Sequence, residues 1–202
     1  MATYNFGSGE TYATFAAARS AAEAAEPSPF TANVIIQGKG TFQANFGTGN
    51  ILNPTSTFRL IIRPIPGQTL TIAGNSVLSR GLSLGTGGST PDFVDFEDIV
   101  VQEVTERCLS SDESGANDVN IRRCTLNYNP SAEAGTEKGC VRFGNAETNW
   151  TFEDCILTHG TVNSGFFSSA AGNNSDDIVF KRCAFTGKGL GAITGNGSEG
   201  DE

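Results

Sequence analysis

Four copies of one eight-residue pattern dominate the second half of this chain. They read VDFEDIVV from residue 94, VNIRRCTL from 119, WTFEDCIL from 150 and IVFKRCAF from 178. Each copy has apolar residues at positions one, three and eight, charged residues at positions four and five, and Cys or Ile at position six. The starts are 25, 31 and 28 residues apart, which is in the range of solenoid repeats with loops of unequal length.

Each copy predicts a strand that buries one face, because its first three positions alternate between apolar and variable residues. A single strand cannot bury that face alone, so the copies are expected to stack about 4.8 Å apart. Stacking would align like positions into inward columns. The predicted core columns are Phe96, Ile121, Phe152 and Phe180, and Ile99, Cys124, Cys155 and Cys183.

The charged positions alternate in sign from copy to copy. The second charged position predicts a ladder of Asp98, Arg123, Asp154 and Arg182, and the first predicts Glu97, Arg122, Glu153 and Lys181. An exposed pair contributes only about 0–1 kcal/mol. We therefore interpret the charges as a device that sets the register of stacking, and the apolar columns as the source of stability.

These repeats resemble those of the right-handed parallel β-helix superfamily, the pectate-lyase-like coils. The start of the chain adds to the resemblance, since an alanine-rich segment is followed by VIIQGKGTF, a strand with a glycine turn. The resemblance implies an all-β fold, a right-handed parallel β-helix (solenoid) with a short N-terminal capping α-helix. The helix would cover the first coil, whose open strand edges would otherwise invite fibre-like stacking.

The predicted organisation is a single β-helix domain over residues 1–202. An irregular lead-in (1–10) precedes the capping helix (11–26), which Pro27 ends. The coils span residues 32–193, and an acidic tail covers 194–202. Residues 189–193 are predicted to form a last strand.

Charge and hydropathy exclude several classes of partner. The net charge is −9, and residues 1–90 hold five basic and three acidic side chains, which leaves eight basic and 19 acidic for residues 91–202. An acidic surface repels phosphate backbones, so no nucleic-acid partner is expected. No apolar run approaches the roughly 18 residues of a membrane span, and the first residues lack the order of a secretory signal. Synthesis in a cytoplasm and no membrane partner are therefore expected.

The five cysteines contain no Cys-x-x-Cys pair, so neither a metal site nor a cofactor is predicted. Buried reduced thiols are the favoured interpretation. A disulfide between stacked neighbours is the alternative that the spacing leaves open.

No residues form a convincing catalytic cluster, and no catalytic residue is assigned. Ser83 lies in a GLSLG string that cannot lead into a helix, so a plain strand role is expected. His159, the only histidine, is expected in a loop or at the surface. The acidic candidates are expected at corners and in loops, scattered rather than grouped; they are Asp92, Asp95, Asp112, Glu113, Asp118, Asp176 and Asp177.

Trp150 falls in an inward column and is predicted to be core. The candidate interface residues are Phe166 and Phe167, which would point to opposite faces of a strand, together with Tyr4 and Phe6 of the lead-in.

A short coil without a catalytic cluster favours a structural and interaction protein over an enzyme. By analogy with β-helix proteins of tailed bacteriophages, the expected function is a capsid decoration (cement) protein of the virion. It would bind the shell, hence a major capsid protein, as an oligomer, with a homotrimer favoured.

Two alternatives stay open at this point. One is a tail-spike or fibre-like protein that binds a glycan or depolymerises a polysaccharide, with Asp92, Asp95, Asp118 or Asp154 contributing. The other is a cytoplasmic scaffold.

Overall fold

The computed structural model describes residues 1–48, 53–75, 77–84, 92–111, 116–128, 139–144, 147–160, 165–169 and 176–187. In chain order its elements are β1 (Ala2–Phe6), α1 (Phe15–Ala25), β2 (Val34–Gly38), β3 (Gly40–Phe42), β4 (Phe46–Gly47), β5 (Leu60–Pro64), β6 (Leu70–Ala73), β7 (Arg80–Leu84), β8 (Val94–Glu97), β9 (Ile99–Gln102), β10 (Arg107–Ser111), β11 (Asn120–Arg122), β12 (Thr125–Tyr128), β13 (Gly139–Phe143), β14 (Thr148–Glu153), β15 (Ile156–His159), β16 (Gly165–Ser169), β17 (Asp176–Lys181) and β18 (Ala184–Gly187).

Three parallel sheets build a β-solenoid of about five turns. Sheet A has the order β1-β2-β5-β8-β11-β14-β17, sheet B runs β3-β6-β9-β12-β15-β18, and sheet C runs β4-β7-β10-β13-β16. Each turn of chain, here called a rung, adds one strand to each sheet. Rung 1 is β2, β3 and β4, rung 5 is β14, β15 and β16, and the described part of rung 6 is β17 and β18. The predicted fold class is confirmed.

The N-terminal segment corrects one expectation. Residues 1–10 were expected to be irregular, but Ala2–Phe6 forms β1 and pairs in parallel with β2. Its sequence alternates small or apolar with polar residues, which is a strand pattern. Phe6 is fully buried, and its ring fills the space below Gly38, where any Cβ would collide with it.

The capping helix α1 is confirmed, with bounds inside the predicted 11–26. It begins after Thr14, whose Oγ1 accepts a hydrogen bond from the backbone N–H of Ala17 at 3.2 Å. The apolar face packs against the solenoid: the Phe15 ring stacks on Phe46 at 4.5 Å, and Phe6 meets both rings edge-on. The helix thus closes the lower end of the core.

The strand register aligns the inward side chains in columns. In sheet A, Phe96 is the partner of Ile121, Ile121 of Phe152, and Phe152 of Phe180. Trp150 is fully buried in the neighbouring column, and its Nε1 donates a hydrogen bond to the Ala116 carbonyl at 2.7 Å. The expected core role of Trp150 is therefore confirmed.

Sheet A is bounded on both sides by corners in the left-handed backbone region. The corner that leads to sheet B is a single residue per rung, with φ between 54° and 56°: Asp98, Arg123, Asp154 and Arg182. The corner at the start of each strand has φ between 55° and 58° at Phe93, Asp118, Asn149 and Asp177. Because this conformation turns the chain sharply, rungs 3 to 6 pass from sheet A to sheet B within one or two residues.

The predicted last strand (189–193) and the tail (194–202) lie outside the described residues.

Candidate functional site

The described surface is dominated by the charged corner between sheets A and B. We call Asp98, Arg123, Asp154 and Arg182 the corner ladder. Arg123 donates two hydrogen bonds to Asp98, from Nε at 2.7 Å and from Nη2 at 2.8 Å. Arg182 holds Asp154 in the same way, at 2.7 and 2.8 Å. Their side chains stay 42–64% exposed, so the ladder is a surface feature available to a partner.

The ion pairs fix the charge state of the ladder. The hydrogen bond from Arg182 lowers the pKa of the Asp154 carboxyl below its usual value. The hydrogen bonds to Asp98 and Asp154 raise the pKa of Arg123 and Arg182 respectively. Asp154, Arg123 and Arg182 are therefore charged at neutral pH.

A second charged column lies inside the ladder, on the outer face of sheet A. Arg122 sits between two glutamates, with Nη1 at 3.1 Å from Glu97 Oε1 and Nε at 4.0 Å from Glu153 Oε2. Lys181 is the register partner of Glu153 on the next rung. The alternation of sign that the repeat predicted is thus present along this column.

Asp95 belongs to the structural network of sheet A. It is buried, and its carboxylate accepts hydrogen bonds from Arg59 Nε at 2.8 Å, from Asn120 Nδ2 at 2.7 Å and from Arg122 Nη1 at 3.5 Å. The guanidinium of Arg59 also donates to the Asp118 carbonyl. Asp95 is therefore buried and paired with two arginines. A sugar-cleaving site would need this carboxylate open to solvent.

The other acidic candidates with described side chains lie on different rungs, along the corner at the start of sheet A. Asp92 accepts a hydrogen bond from the Asn117 backbone N–H at 2.7 Å, Asp118 forms the left-handed corner before β11, and Asp177 is the exposed corner of rung 6. Asp112 and Glu113 lie outside the described residues, and for Asp176 only the backbone is described. The described acids are therefore not gathered into one pocket.

The cysteine column forms a ladder of sulfur contacts. Each thiol donates to a carbonyl of the rung below: Cys124 to Phe96 at 3.6 Å, Cys155 to Ile121 at 3.3 Å, and Cys183 to Phe152 at 3.5 Å. All five cysteines are free. Burial raises the pKa of Cys155 to about 11 and that of Cys140, in sheet C, to about 12. The buried thiols are therefore protonated at neutral pH and behave as small apolar residues.

His159 is not at the surface, which corrects the expectation. It ends β15, is only 2% exposed, and packs its ring between Tyr128 at 5.4 Å and Phe166 at 5.7 Å. Ser83 has the expected strand role in β7, where its Oγ donates to Asn45 Oδ1 at 3.0 Å. The serine and the histidine sit on different sheets, β7 in sheet C and β15 in sheet B.

The four candidate interface residues divide into two kinds. Phe6 and Phe167 are buried in the core, so they cannot form a surface contact, and this expectation is corrected. Tyr4 and Phe166 are half-buried. The Tyr4 hydroxyl donates to Glu26 Oε1, and burial raises its pKa to about 12.

The upper end of the described solenoid exposes residues whose equivalents lower down are buried. Phe185 is 45% exposed, whereas Leu157, its partner one rung below, is fully buried. Phe180 and Cys183 are likewise half-buried above the buried Phe152 and Cys155.

The sequence pattern was not used to predict one surface, the outer face of sheet B. Position seven of the repeat supplies it with Val100, Thr125, Ile156 and Ala184, none of them charged. The signal was present in the repeat, as a variable position that never carries a charge.

Within the described residues, no group of three or more His, Cys, Asp or Glu side chains could hold a metal ion, and no helix is long and apolar enough to cross a membrane. No family model, curated protein or solved structure matches the chain. The parallel β-solenoid therefore rests on its strand pairing, and the likeness to pectate-lyase-like coils rests on the sequence pattern.

Proposed function

We propose that this chain is a non-enzymatic structural protein of a virion, a bacteriophage capsid decoration protein that binds the shell as an oligomer. It is made in the host cytoplasm, and its partners are further copies of itself and a major capsid protein. The virion context comes from the resemblance of the repeats to those of phage β-helix proteins.

The observation that carries the proposal is the exposed upper end. A solenoid buries its core by stacking rungs, so the end of a stack exposes apolar side chains and strand edges unless another element packs on it. Phe185, whose partner Leu157 one rung below is fully buried, is 45% exposed at the upper end of the described residues, whereas the lower end is closed by α1. This difference between the ends supports attachment through the upper one.

The charges of sheet A support a structural role. Asp95, Glu97, Glu153 and Asp154 each form an ion pair with an arginine of the same or a neighbouring rung. These carboxylates hold adjacent rungs in register, which makes the coil a stiff spacer.

The N-terminal segment, which holds the candidate interface residues Tyr4 and Phe6, is a poor choice for the shell contact. Removing residues 1–10 would delete β1 and the buried Phe6, exposing the aromatic cluster under α1. Such a deletion would damage the fold along with any binding.

A sharper test is co-sedimentation of the purified chain with capsids assembled from the major capsid protein of the same genome. We expect binding by the wild type and a loss of at least tenfold for Phe185→Asp. The matched control is Val77→Asp, which also places a charge at an exposed apolar residue, 77% exposed, but away from the upper end. This control should bind like the wild type.

Absence of wild-type binding to these capsids would overturn the proposal. A panel of polysaccharides, assayed for cleavage and binding, would then test the tail-spike or fibre alternative.

A further inference from the structure

The outer face of sheet B differs from the rest of the described sheet surface because it carries no charge. Two outward columns run along it over successive rungs, and the strand register aligns their members. The first column is Thr41, Thr71, Val100, Thr125, Ile156 and Ala184, and the second is Ala73, Gln102, Asn127, Thr158 and Thr186. The outer face of sheet A, in contrast, carries charged residues on rungs 2 to 6.

The uncharged face is also partly apolar at its centre. Ile156 is 47% exposed in the middle of the upper rungs and neighbours Thr125 on the rung below. Flat surfaces of β-branched side chains with few charges are typical of contacts between sheets, which pack about 10 Å apart.

The corner ladder borders this face, one or two residues before the strands of sheet B begin. Its four members alternate in sign, negative at Asp98 and Asp154 and positive at Arg123 and Arg182. Because the column alternates and has four members, a second copy of the column turned end for end places the opposite charge beside every member.

A second copy of this chain is therefore complementary to the ladder in one orientation. With the two solenoids antiparallel, Arg123 faces Asp154 of the other copy, and Asp98 faces Arg182. With the solenoids parallel around a three-fold axis at this corner, like charges would meet at each level. The charges thus select the antiparallel arrangement.

We propose that two copies pack face to face through sheet B, related by a two-fold axis that runs parallel to the strands, midway between the rungs of Arg123 and Asp154. A two-fold contact uses the same patch on both copies, which must be self-complementary. The inference does not rest on the proposed virion role, since it concerns only the chain and its second copy.

This axis also aligns the uncharged side chains. Thr125 of one copy lies opposite Ile156 of the other, and Val100 lies opposite Ala184. Both surfaces have the same spacing of about 4.8 Å between rungs, so their side chains can interdigitate along the whole overlap. The overlap of rungs 3 to 6 is about 15–19 Å long, smaller than a permanent interface needs. We therefore expect a reversible pair whose population rises with protein concentration.

Charge reversal with mixing provides the test. Arg123→Glu brings two negative charges together across the axis, and Asp154→Lys brings two positive charges together. Each variant alone should be a monomer by light scattering, at the 21.1 kDa mass of the chain. A 1:1 mixture should restore twice that mass, because the introduced glutamate then faces the introduced lysine.

A second pair of variants leaves the ladder intact. Ile156→Lys puts a charge at the centre of the uncharged face and should weaken association at least tenfold. Val179→Lys is the matched control: Val179 is a β-branched residue of similar exposure, 41%, on sheet A of the next rung. It should associate like the wild type.

Circular dichroism establishes that each variant is folded before its mass is measured. A wild-type monomer at all concentrations, a stable trimer, equal loss in Ile156→Lys and Val179→Lys, or no recovery on mixing would each overturn the proposal. Capsid binding by a chain that is monomeric in solution would remove this inference while leaving the proposed binding to the shell intact.

Discussion

The guanidinium of Arg182 donates two hydrogen bonds, from Nε at 2.7 Å and from Nη2 at 2.8 Å, to the carboxylate of Asp154 on the rung below. The same fork joins Arg123 to Asp98. Repetition of one geometry at two levels shows that the ladder is a regular part of the coil, since both pairs start from the same left-handed corner.

The titration of Asp154 should report this contact directly. Because the hydrogen bond from Arg182 stabilises the carboxylate, the pKa of Asp154 lies below its usual value in the folded chain. The contribution of this ion pair to the stability of the fold is therefore present above about pH 4 and is lost as pH falls through the folded pKa. Carbon-detected NMR should find the Asp154 pKa lowered, and Arg182→Gln should bring it back towards its usual value. Arg80→Gln, a change to an arginine of sheet C, is the control and should leave it unmoved. An Asp154 pKa that is the same in the wild type and in Arg182→Gln would contradict the ion pair between these two residues.

Corner strain gives a second prediction. Arg123 has φ 54°, in the left-handed region of the backbone. A residue with a side chain adopts this conformation at a cost of about 1–2 kcal/mol, whereas glycine adopts it freely. Arg123→Gly and Arg123→Ala both remove the ion pair with Asp98, so they differ in backbone preference alone. We expect the glycine variant to be more stable than the alanine variant by about 1 kcal/mol, measured by urea unfolding. The reverse order would show that the corner residue is not left-handed in solution.

The apolar columns should carry most of the stability. Phe152 is fully buried, pairs in register with Ile121 and stacks on Phe180 at 4.9 Å. Phe152→Ala should reduce the free energy of unfolding by about 3–5 kcal/mol. The exposed Val179→Ala on the next rung should change it by less than about 0.5 kcal/mol. Similar losses in both variants would mean that the rungs do not stack in this register.

The inward columns could be predicted from sequence because four copies repeat the same alternation, and one set of residue positions then satisfies every rung. The left-handed corners could not, since Asp98 and Arg123 are simply charged residues in the pattern, and charge does not reveal φ. Strand β1 was not predicted because its sequence belongs to no repeat.

His159 shows why burial is harder to predict than strand position. It follows the third copy of the repeat and has no position in the pattern, and the rings that enclose it come from another rung and another sheet, Tyr128 from β12 and Phe166 from β16. The uncharged face of sheet B was overlooked for a related reason. It is made of the variable positions, which become a surface only when the rungs are stacked.

Thiol accessibility provides the last prediction, and it tests the end of the coil. Four cysteines are buried, whereas Cys183 on rung 6 is half-buried. A maleimide at pH 8 should therefore label Cys183 in the native chain and the other four only after unfolding, because burial also raises the pKa of thiols such as Cys155, to about 11, and suppresses the reactive thiolate. Mass spectrometry of digested protein identifies the labelled site, and Cys183→Ser is the control that should remove the native signal.

The pH dependence of labelling follows from the raised pKa of Cys155, which is about 11 in the folded chain against an ordinary value of 9.0. The stability of the fold that comes from burying the protonated thiol is fully present below pH 9 and is lost as pH rises towards 11. Labelling of Cys155 should therefore begin only in this alkaline range. Rapid labelling of all five cysteines at pH 8 would mean that the rungs open freely, and a coil of that kind could not serve as a stiff spacer.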